Sequence, residues 1–461
     1  MFDPITIILS IYVLITVGVA YTVRNTDLIS KEGFMLGNRQ ASEIKIAFSA
    51  ASCWAYVFAL VINSRFTYDL GLAGFFWYSL PYVLTIIYFG FIAKSIVSKL
   101  PEGFTLSEYI NKRYQNKNLT YLYQILQLAA AVYAITANLT GFGILAEYVS
   151  TDFNYNTIIL VLGITVLAYS LWGGIRSCHV TDFIQMPFIL IVSVTFGVIS
   201  VFKSGGFSTV ITNWLTAKPE SILSVDKVLD PGILLFLLFA GSIMADNSHY
   251  QNALSLKKGS RIVRTYFMAG IILLLTLIGL ALLAAGAYSV PVDVTKGDLA
   301  SIIVTKYHFG EIGAIIFMLM VLFKASSVLD SSLNGAGTIL ANDVVKKGNP
   351  VKISRLTMIV VMTLGIILTT MKIDLWILIT TFGMLRVLAV APTVYALFID
   401  KKININGLMP IMVVTGAIGV GLTLIDNPVS KLPLNILILF VPLCYITYLH
   451  FKKQNSTLQI K

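Results

Sequence analysis

The sequence predicts an all-α polytopic membrane protein, and three observations support this fold class. Hydrophobic residues make up 57% of the 461 residues and charged residues only 12%, whereas about 25% of an average soluble domain is charged. The mean hydropathy is +0.84. Apolar segments of roughly 17–25 residues, the length that crosses a bilayer, recur along nearly the whole chain. We therefore expect a single membrane domain over residues 1–461.

The apolar segments predict about thirteen transmembrane helices. They cover residues 4–23, 44–63, 73–98, 119–147, 157–172, 182–202, 231–249, 265–289, 311–336, 357–371, 374–398, 408–425 and 434–451. The first segment has no basic n-region and no small-residue cleavage site before Arg24. We expect it to remain a membrane span rather than to be removed as a signal peptide.

The distribution of basic residues predicts the orientation of these helices. Lysines and arginines cluster in alternate connections, such as 257–264 and 346–355, and are sparser in the intervening ones. By the positive-inside rule, the N-terminus lies outside and the C-terminus inside a bacterial or archaeal cytoplasmic membrane. This topology and the attraction of anionic lipid account for the net charge of +11. No nucleic-acid partner is expected.

The chemistry-bearing residues do not predict an enzyme. Cys53, Cys178 and Cys444 lie far apart without a CxxC pair, and the four histidines are likewise dispersed. A disulfide framework or a zinc site is therefore not indicated. The chain also lacks the pattern of a hydrolase triad or a P-loop. We expect neither covalent catalysis nor an organic cofactor.

The spacing of the helices predicts an inverted repeat. An extra helix at 4–23 precedes five spans over 43–203, five more follow over 231–398, and two C-terminal helices cover 408–451. An odd number of spans inverts the second set relative to the first. Transporters built in this way bind solute and ions at the midplane, on broken helices.

The first helix of each repeat has a sequence that favours a break. Residues 49–55 read Ser-Ala-Ala-Ser-Cys-Trp-Ala, and residues 241–248 read Gly-Ser-Ile-Met-Ala-Asp-Asn-Ser. Both runs are rich in small and polar residues. Unwound backbone is tolerated at membrane depth where it lines a cavity. We therefore expect the binding sites near these two runs.

A lysine stands near the middle of the ninth predicted helix. Lys324, Ser327, Val328 and Ser331 follow helical spacing and share one face. A charge at bilayer depth costs at least ~2.5–3.5 kcal/mol and is by default a candidate functional residue. This face is therefore expected to bear on ion coupling.

Two motifs resemble a known family. Trp172-Gly173-Gly174-Ile175-Arg176 followed by Thr181-Asp182-Phe183-Ile184-Gln185 is similar to a loop-and-helix signature of the sodium/solute symporters. That family includes proline, sugar and sialic acid symporters. The similarity continues through Leu333-Asn334 and Ala341-Asn342-Asp343-Val344. The resemblance implies a LeuT-like 5+5 inverted repeat with one helix before it and two after it.

Shorter runs resemble the urea and polyamine branch of that family. They are Trp54, the stretch Tyr68–Tyr78 and the stretch Ala245–Ala253. We take this similarity as a hint about the solute.

The resemblance also implies the position of a sodium site. In the family, a sodium ion lies between carbonyls of the broken second helix and a small residue plus two adjacent hydroxyls on the ninth, with an acid nearby on the sixth. Oxygen ligands of this kind suit a hard cation. The matching positions on the second and sixth helices are Ser52, Ala55 and Asp182.

On the ninth helix this sequence departs from the family. A register anchored at Asn334 and Asp343 puts Ser327 on the first hydroxyl, Val328 on the second and Lys324 on the small residue. The alternative register, shifted by one residue, restores Ser326 and Ser327 as the hydroxyl pair but puts Phe323 on the small position. It requires an insertion or deletion within a helix.

The departure suggests a different coupling ion. Valine offers no ligand, and an ammonium beside a sodium site repels the ion while its nitrogen fills much the same volume. Lys324 is therefore a candidate replacement for sodium. With Asp182 as partner, Lys324 forms either a fixed ion pair or a site that carries a proton. The coupling ion is therefore expected to be Na⁺ or H⁺.

Two further intramembrane charges have structural interpretations. Asp246 lies where the seventh helix opens, and either caps that helix or hydrogen-bonds a polar or cationic solute. Arg386 has no local counter-charge, and we expect it to form an ion pair with Asp330 or Asp246.

Side chains near the two breaks are candidates for solute binding. Among the aromatic residues we favour Trp54, because it adjoins the first break, although such residues more often serve packing. The other candidates are Cys53, Trp77, Asp246, Asn247, His249 and Gln251.

Three functions remain in competition. The leading one is a secondary active, cation-coupled symporter that carries a small polar organic solute by alternating access. The second is a sodium-independent transporter, proton-coupled or a uniporter, and Lys324 and Val328 are the features that favour it. The third is a membrane sensor with a transporter fold, which the lack of a cytoplasmic domain disfavours.

Overall fold

The fold is known from a computed structural model, which describes residues 4–23, 30–149, 154–345, 347–399, 405–424 and 431–458. These residues are helical almost throughout, as predicted. In chain order the helices are α1 Pro4–Val23, α2 Lys31–Leu36, α3 Glu43–Trp54, α4 Val57–Asp69, α5 Gly71–Lys99, α6 Leu106–Tyr114, α7 Lys117–Val149, α8 Tyr155–Lys203, α9 Gly206–Ala217, α10 Val225–Lys227, α11 Leu234–Ala245, α12 Asn247–Leu254, α13 Ile262–Gly286, α14 Ala300–Ile339, α15 Pro350–Thr370, α16 Leu375–Val387, α17 Val390–Phe398, α18 Leu408–Leu424 and α19 Lys431–Leu458.

Many of these helices are suited to a bilayer. Within the described residues, nine are long and apolar enough to cross it, and two bent pairs bring the number to eleven. Helix α18 adds a shorter apolar segment, Leu408–Leu422. The predicted total of thirteen spans stays a prediction, and the last residue of the predicted span 408–425 lies outside the described residues.

Helix α8 has 49 residues, about twice the number that is needed to cross a hydrocarbon core once. It bends at Gly174, which has φ 56° and ψ −151°. Few residues other than glycine adopt this backbone conformation. A Cβ atom at this position would also lie 2.4 Å from the carbonyl oxygen of Phe34. The Gly-Gly motif therefore produces the turn between the predicted fifth and sixth spans.

Both predicted helix breaks are present. Helices α3 and α4 meet at Ala55 and Tyr56 with a bend of 63°. Helices α11 and α12 meet at Asp246, whose backbone is extended. The polar groups freed at the first break are bonded by neighbouring helices: the amide of Val57 donates to Asn138 Oδ1 at 2.7 Å, and the Tyr82 hydroxyl donates to the carbonyl of Trp54.

A third break was not predicted. The segment expected as one span over 374–398 consists of α16 and α17, bent by 40° after Val387. Pro392 explains the break, because it has no amide hydrogen and its ring conflicts with the carbonyl of Leu388, four residues earlier.

The helices surround a buried centre. Helix α14 packs against α8 and α7, and α13 packs against α5 and α8. The broken pair α3 and α4 contacts both α13 and α14. Helices α1, α18 and α19 lie at the periphery, where large apolar side chains such as Leu14 and Phe440 are exposed. This arrangement places the first break beside the middle of α14.

Candidate functional site

Two buried polar regions lie next to the first helix break. One, which we call the cation cluster, consists of Ser49, Ser52, Asp182, Lys324 and Ser327. All five residues have no exposed surface. They come from three elements: α3, α8 and α14.

Two hydroxyls hold the Asp182 carboxylate. Ser49 Oγ donates to Asp182 Oδ2 at 2.5 Å, and Ser327 Oγ donates to Asp182 Oδ1. Ser49 also lies 3.3 Å from Asn252 Oδ1, which is 2.9 Å from His179 Nε2. The acid therefore joins α8 to both α3 and α14.

The ammonium of Lys324 contacts the broken helix. Its Nζ donates to the carbonyl oxygen of Ser52 at 2.9 Å and lies 3.9 Å from the sulfur of Met186. The charges of Lys324 and Asp182 act on each other, but the side chains of the described residues form no direct ion pair there. Of the two arrangements considered for this pair, the fixed contact ion pair is not formed.

The hydroxyls of α14 support the register anchored at Asn334 and Asp343. Ser327 bonds to Asp182, whereas Ser326 Oγ donates back to the carbonyl of Phe323 at 3.0 Å. The Phe323 ring contacts the rings of Tyr12 and Phe188 instead of the break. The shifted register, which needs Ser326 and Phe323 at the ion site, does not match these contacts.

The remaining positions of the implied sodium site offer few ligands. Val328 is buried and brings no oxygen atom to the cluster in its side chain. The hydroxyl of Ser52 is buried and has no partner within normal hydrogen-bond geometry among the residues that the structure describes. Ala55 ends α3, and its amide donates to the carbonyl of Ala51. Lys324 is the only cation that contacts the carbonyls of this break among the described residues.

The second region, which we call the central cavity, is mainly aromatic. Its volume is about 10 Å³, room for roughly one water molecule. The lining residues are Trp54, Tyr56, Phe58, Tyr82, Tyr133, Phe239, Ser242, Ile379 and Arg386. Trp54 stacks on Tyr82 with ring centroids 5.1 Å apart, and its indole nitrogen donates to the carbonyl of Tyr82.

Arg386 reaches this cavity from α16. Its side chain is 4% exposed, its Nε donates to the carbonyl of Phe382 at 3.2 Å, and its guanidinium lies 4.4 Å from the centroid of the Tyr133 ring. The expected ion pair is not formed. Asp330 accepts from Tyr169 and Thr181, whereas Asp246 accepts from Ser248 and Tyr56.

Asp246 caps the second half of the broken seventh helix. Its Oδ1 accepts from the amide and the hydroxyl of Ser248, at 2.9 and 2.7 Å. Its Oδ2 accepts from the Tyr56 hydroxyl at 3.2 Å. The structure therefore favours the capping interpretation, with Tyr56 between this acid and the cavity.

The other residues predicted from α12 serve helix packing. Asn247 Nδ2 donates to the carbonyl of Gly335, and Gln251 Nε2 donates to Thr338 Oγ1 at 2.6 Å. His249 is fully buried, with neither ring nitrogen hydrogen-bonded, and its ring contacts Trp54 and Phe89. Of these three residues only His249 contacts the wall of the central cavity.

Cys53 and Trp77 lie outside the cavity. Cys53 Sγ is 3.1 Å from the hydroxyl of Ser248 and links the two broken helices. The indole nitrogen of Trp77 donates to the carbonyl of Ile222 at 2.7 Å, and its ring packs against Gly232. The structure thus separates Trp77 from the other candidate solute contacts.

Several residues of the two regions were not singled out by sequence. Asn138 is a polar residue in a long apolar helix, a signal that would have marked it. Tyr82 and Tyr133 gave no signal, because tyrosines are common on membrane helices for other reasons. Ser49 was noted only as part of the small, polar run of the second helix.

On the predicted inner side, a polar network joins α2, α6 and the end of α14. Lys31 Nζ donates to Asn342 Oδ1 at 2.5 Å, and Asn342 Nδ2 donates to Glu108 Oε2 at 3.0 Å. Ser107 Oγ donates to Asp343 Oδ2 at 2.5 Å. We call these five residues the inner latch.

On the opposite side, a vestibule of about 450 Å³ opens between α4, α7 and the start of α16.

Comparison with known proteins assigns this chain to a family. Residues 34–415 match the sodium:solute symporter family. The chain is 21% identical to the sodium/pantothenate symporter of Escherichia coli, over 88% of each protein. It is also 21% identical to the probable urea active transporter 1 of Schizosaccharomyces pombe, over 70% of this chain and 52% of that protein.

A solved structure shares the fold. A Na⁺-coupled sialic acid symporter, captured substrate-bound and outward-open, superimposes with a TM-score of 0.73 at 14% identity, over 96% of this chain and 97% of that chain. The predicted LeuT-like architecture is thereby confirmed. The chain belongs to the sodium:solute symporter family and is an integral membrane protein that couples the transport of a solute to that of a cation.

Proposed function

We propose that this symporter couples solute transport to protons, with Lys324 in the place of a sodium ion. The observation that carries the proposal is the 2.9 Å contact between Lys324 Nζ and the carbonyl oxygen of Ser52. Carbonyls of the broken second helix are ligands of the sodium ion that the family resemblance implies. A resident ammonium there supplies the same single positive charge.

Electrostatics supports this assignment. Two unit charges 4 Å apart repel by about 4 kcal/mol at an effective dielectric constant of 20. A sodium ion bound to the Ser52 carbonyl would lie within about 5 Å of the Lys324 ammonium, which contacts the same oxygen. Val328, where the family has a hydroxyl, offers no compensating ligand. Sodium binding at this point therefore requires Lys324 to move or to lose its proton.

The residue types of the cation cluster suit proton transfer. A lysine that is buried away from water can release its proton, whereas an arginine keeps its proton. The Asp182 carboxylate can accept a proton. The hydroxyls of Ser49 and Ser327 stabilise the ionised carboxylate. Because the cluster joins α3, α8 and α14, a change of protonation would alter contacts between elements that move during alternating access.

We further propose that the solute is a small polar organic molecule that binds in the central cavity. The cavity lies at the first break, beside the cation cluster, as in transporters of this architecture. The names of the relatives suggest pantothenate, urea and sialic acid as the first solutes to test.

Uptake into proteoliposomes under separately imposed gradients tests the coupling ion. We expect an inward proton gradient to drive accumulation of a transported solute at zero sodium, and a sodium gradient alone to drive none. Sodium-driven accumulation without a pH gradient would contradict the proposal.

Sodium coupling is the second candidate, and one observation favours it. The buried hydroxyl of Ser52 has no partner within normal hydrogen-bond geometry among the described residues and lies on the same helix as the Lys324 acceptor. With Asp182 and Ser327 it would supply oxygen ligands to a hard cation if Lys324 were neutral. The same proteoliposome experiment separates the two candidates.

A further inference from the structure

We propose that Arg386 and Tyr133 form a carboxylate-binding site in the central cavity, so that the transported solute is a small organic anion. This proposal rests on the cavity being the solute site, as proposed above. It does not depend on which cation drives transport.

The first argument is the charge of Arg386. Its guanidinium stays protonated under all physiological conditions, yet the side chain is 4% exposed within the membrane domain. Buried charges are usually paired, because removing them from water is costly. Among the described residues, Arg386 forms no ion pair, and its Nε donates to the carbonyl of Phe382 on its own helix.

The second argument is an unused donor on the opposite wall. Tyr133 is fully buried, and its hydroxyl donates to no acceptor within the described part of the chain. The Tyr133 ring lies under the Arg386 guanidinium, at 4.4 Å. The two side chains thus bring a cation and a free hydroxyl donor to one cavity. A carboxylate is the ligand that uses both, since arginine binds it with two parallel hydrogen bonds.

The acidic residue Asp246 does not remove the preference of the cavity for an anion. The Oδ2 of Asp246 is occupied by the Tyr56 hydroxyl and its Oδ1 by Ser248. Tyr56 lines the cavity, whereas Asp246 does not. An anion in the cavity therefore faces Arg386 directly and Asp246 only across the Tyr56 side chain.

The rest of the cavity suits the body of an organic acid. Trp54, Phe58 and Phe239 provide apolar walls. The hydroxyl of Ser242 donates to the carbonyl of Leu238 at 2.7 Å, so its oxygen remains an acceptor for a polar group of the solute. At about 10 Å³ the cavity beside Arg386 and Tyr133 has no room for an organic acid. Solute entry therefore requires movement of the aromatic walls.

Binding of matched acids and neutral analogues to the purified full-length protein tests the proposal. The probes are four pairs: acetate and acetamide, lactate and lactamide, benzoate and benzamide, and pantothenate and panthenol, with urea as an additional neutral compound. Thermal stabilisation and calorimetry are measured at equilibrium, without an ion gradient. We expect at least one acid to bind and its neutral partner to bind at least about tenfold more weakly.

Variants connect that preference to the two residues. Arg386→Met should lower the affinity for the acid at least about tenfold, and Tyr133→Phe about threefold to tenfold. Arg386→Lys should retain part of the affinity, which separates loss of charge from misfolding. Lys306→Met, which removes an exposed positive charge paired with Glu311, should leave binding unchanged.

Three results would overturn the proposal: no acid binds, urea or the neutral partners bind as tightly as the acids, or Arg386→Met binds the acid like the unaltered protein. Because these measurements use no gradient, they stand apart from the coupling experiment. Acid binding with sodium-driven uptake would reject the proton proposal and keep this one.

Discussion

Lys324 and Arg386 are both cations buried in the membrane domain, yet their surroundings differ. Lys324 has a backbone carbonyl at 2.9 Å and lies in a cluster of hydroxyls around a carboxylate. Arg386 lies on the ring of Tyr133 and donates to a carbonyl of its own helix, without an ion pair among the described residues. The Lys324 ammonium therefore lies among oxygen atoms of the protein, whereas the Arg386 guanidinium lies mainly against an aromatic ring.

The difference indicates two roles for a buried cation. In our proposals, the Lys324 ammonium takes the place of a bound ion at the broken helix, so that the protein itself completes that site. The Arg386 guanidinium, which forms no ion pair among the described residues, leaves its site incomplete until an anion binds. Four predictions test the first half of this contrast; the first is expected to have the largest effect and the last the smallest.

Lys324→Met should have the largest effect. The substitution keeps the approximate length of the side chain and removes the charge, and it leaves the Ser52 carbonyl without its donor, at a cost of about 1–3 kcal/mol. We expect proton-driven accumulation in proteoliposomes to fall at least about tenfold. Lys306→Met is the matched control. Full accumulation by Lys324→Met with unchanged pH dependence would show that Lys324 has only a structural role.

Combining Lys324→Ala with Val328→Ser should create a dependence on sodium. The two changes restore the small residue and the second hydroxyl that the family resemblance implies, and they remove the repelling charge. We expect the rate of solute uptake by the double variant to rise about threefold or more when sodium is added. Lys324→Ala alone is the control. A folded double variant that ignores sodium would show that Lys324 does not stand in for that ion.

Asp182→Asn should uncouple transport while preserving the packing of the cluster. The amide oxygen still accepts one hydroxyl, but the charge and the proton site are gone. We expect proton-driven accumulation to fall about fivefold to tenfold, while exchange of solute across the membrane without a gradient persists. Asp330→Asn serves as the comparison, because Asp330 bonds to Tyr169 away from Lys324. Equal effects of both variants would argue against a specific role of Asp182.

The smallest effect separates two neighbouring serines. Ser327→Ala removes a hydrogen bond to Asp182 and should lower accumulation a few-fold, because Ser49 still donates to the carboxylate and a single hydrogen bond contributes about 0.5–1.5 kcal/mol net. Ser326→Ala removes only a bond to the carbonyl of Phe323 and should stay within about twofold. If Ser326→Ala has the larger effect, the shifted register of α14 is the correct one.

Much of the architecture was predictable because it depends on local sequence. The breaks at residues 49–55 and 241–248 were visible as small and polar runs within apolar segments, and Gly174 marked a turn. The bend at Val387 was missed, although Pro392 shows its cause, because the apolar run continues through it. For the candidate site, the sequence identified Asp182, Lys324 and Ser327 as one group only through the resemblance to a family.

The sequence by itself determined that this chain is a bundle of membrane helices with a lysine at bilayer depth, because bilayer thickness fixes segment length and composition reports burial. Only the tertiary structure decided what each buried charge contacts. Lys324 and its acceptor Ser52 are 272 positions apart, and Arg386 and Tyr133 meet across α16 and α7. Helix packing sets such contacts, and no periodicity within a single helix encodes them.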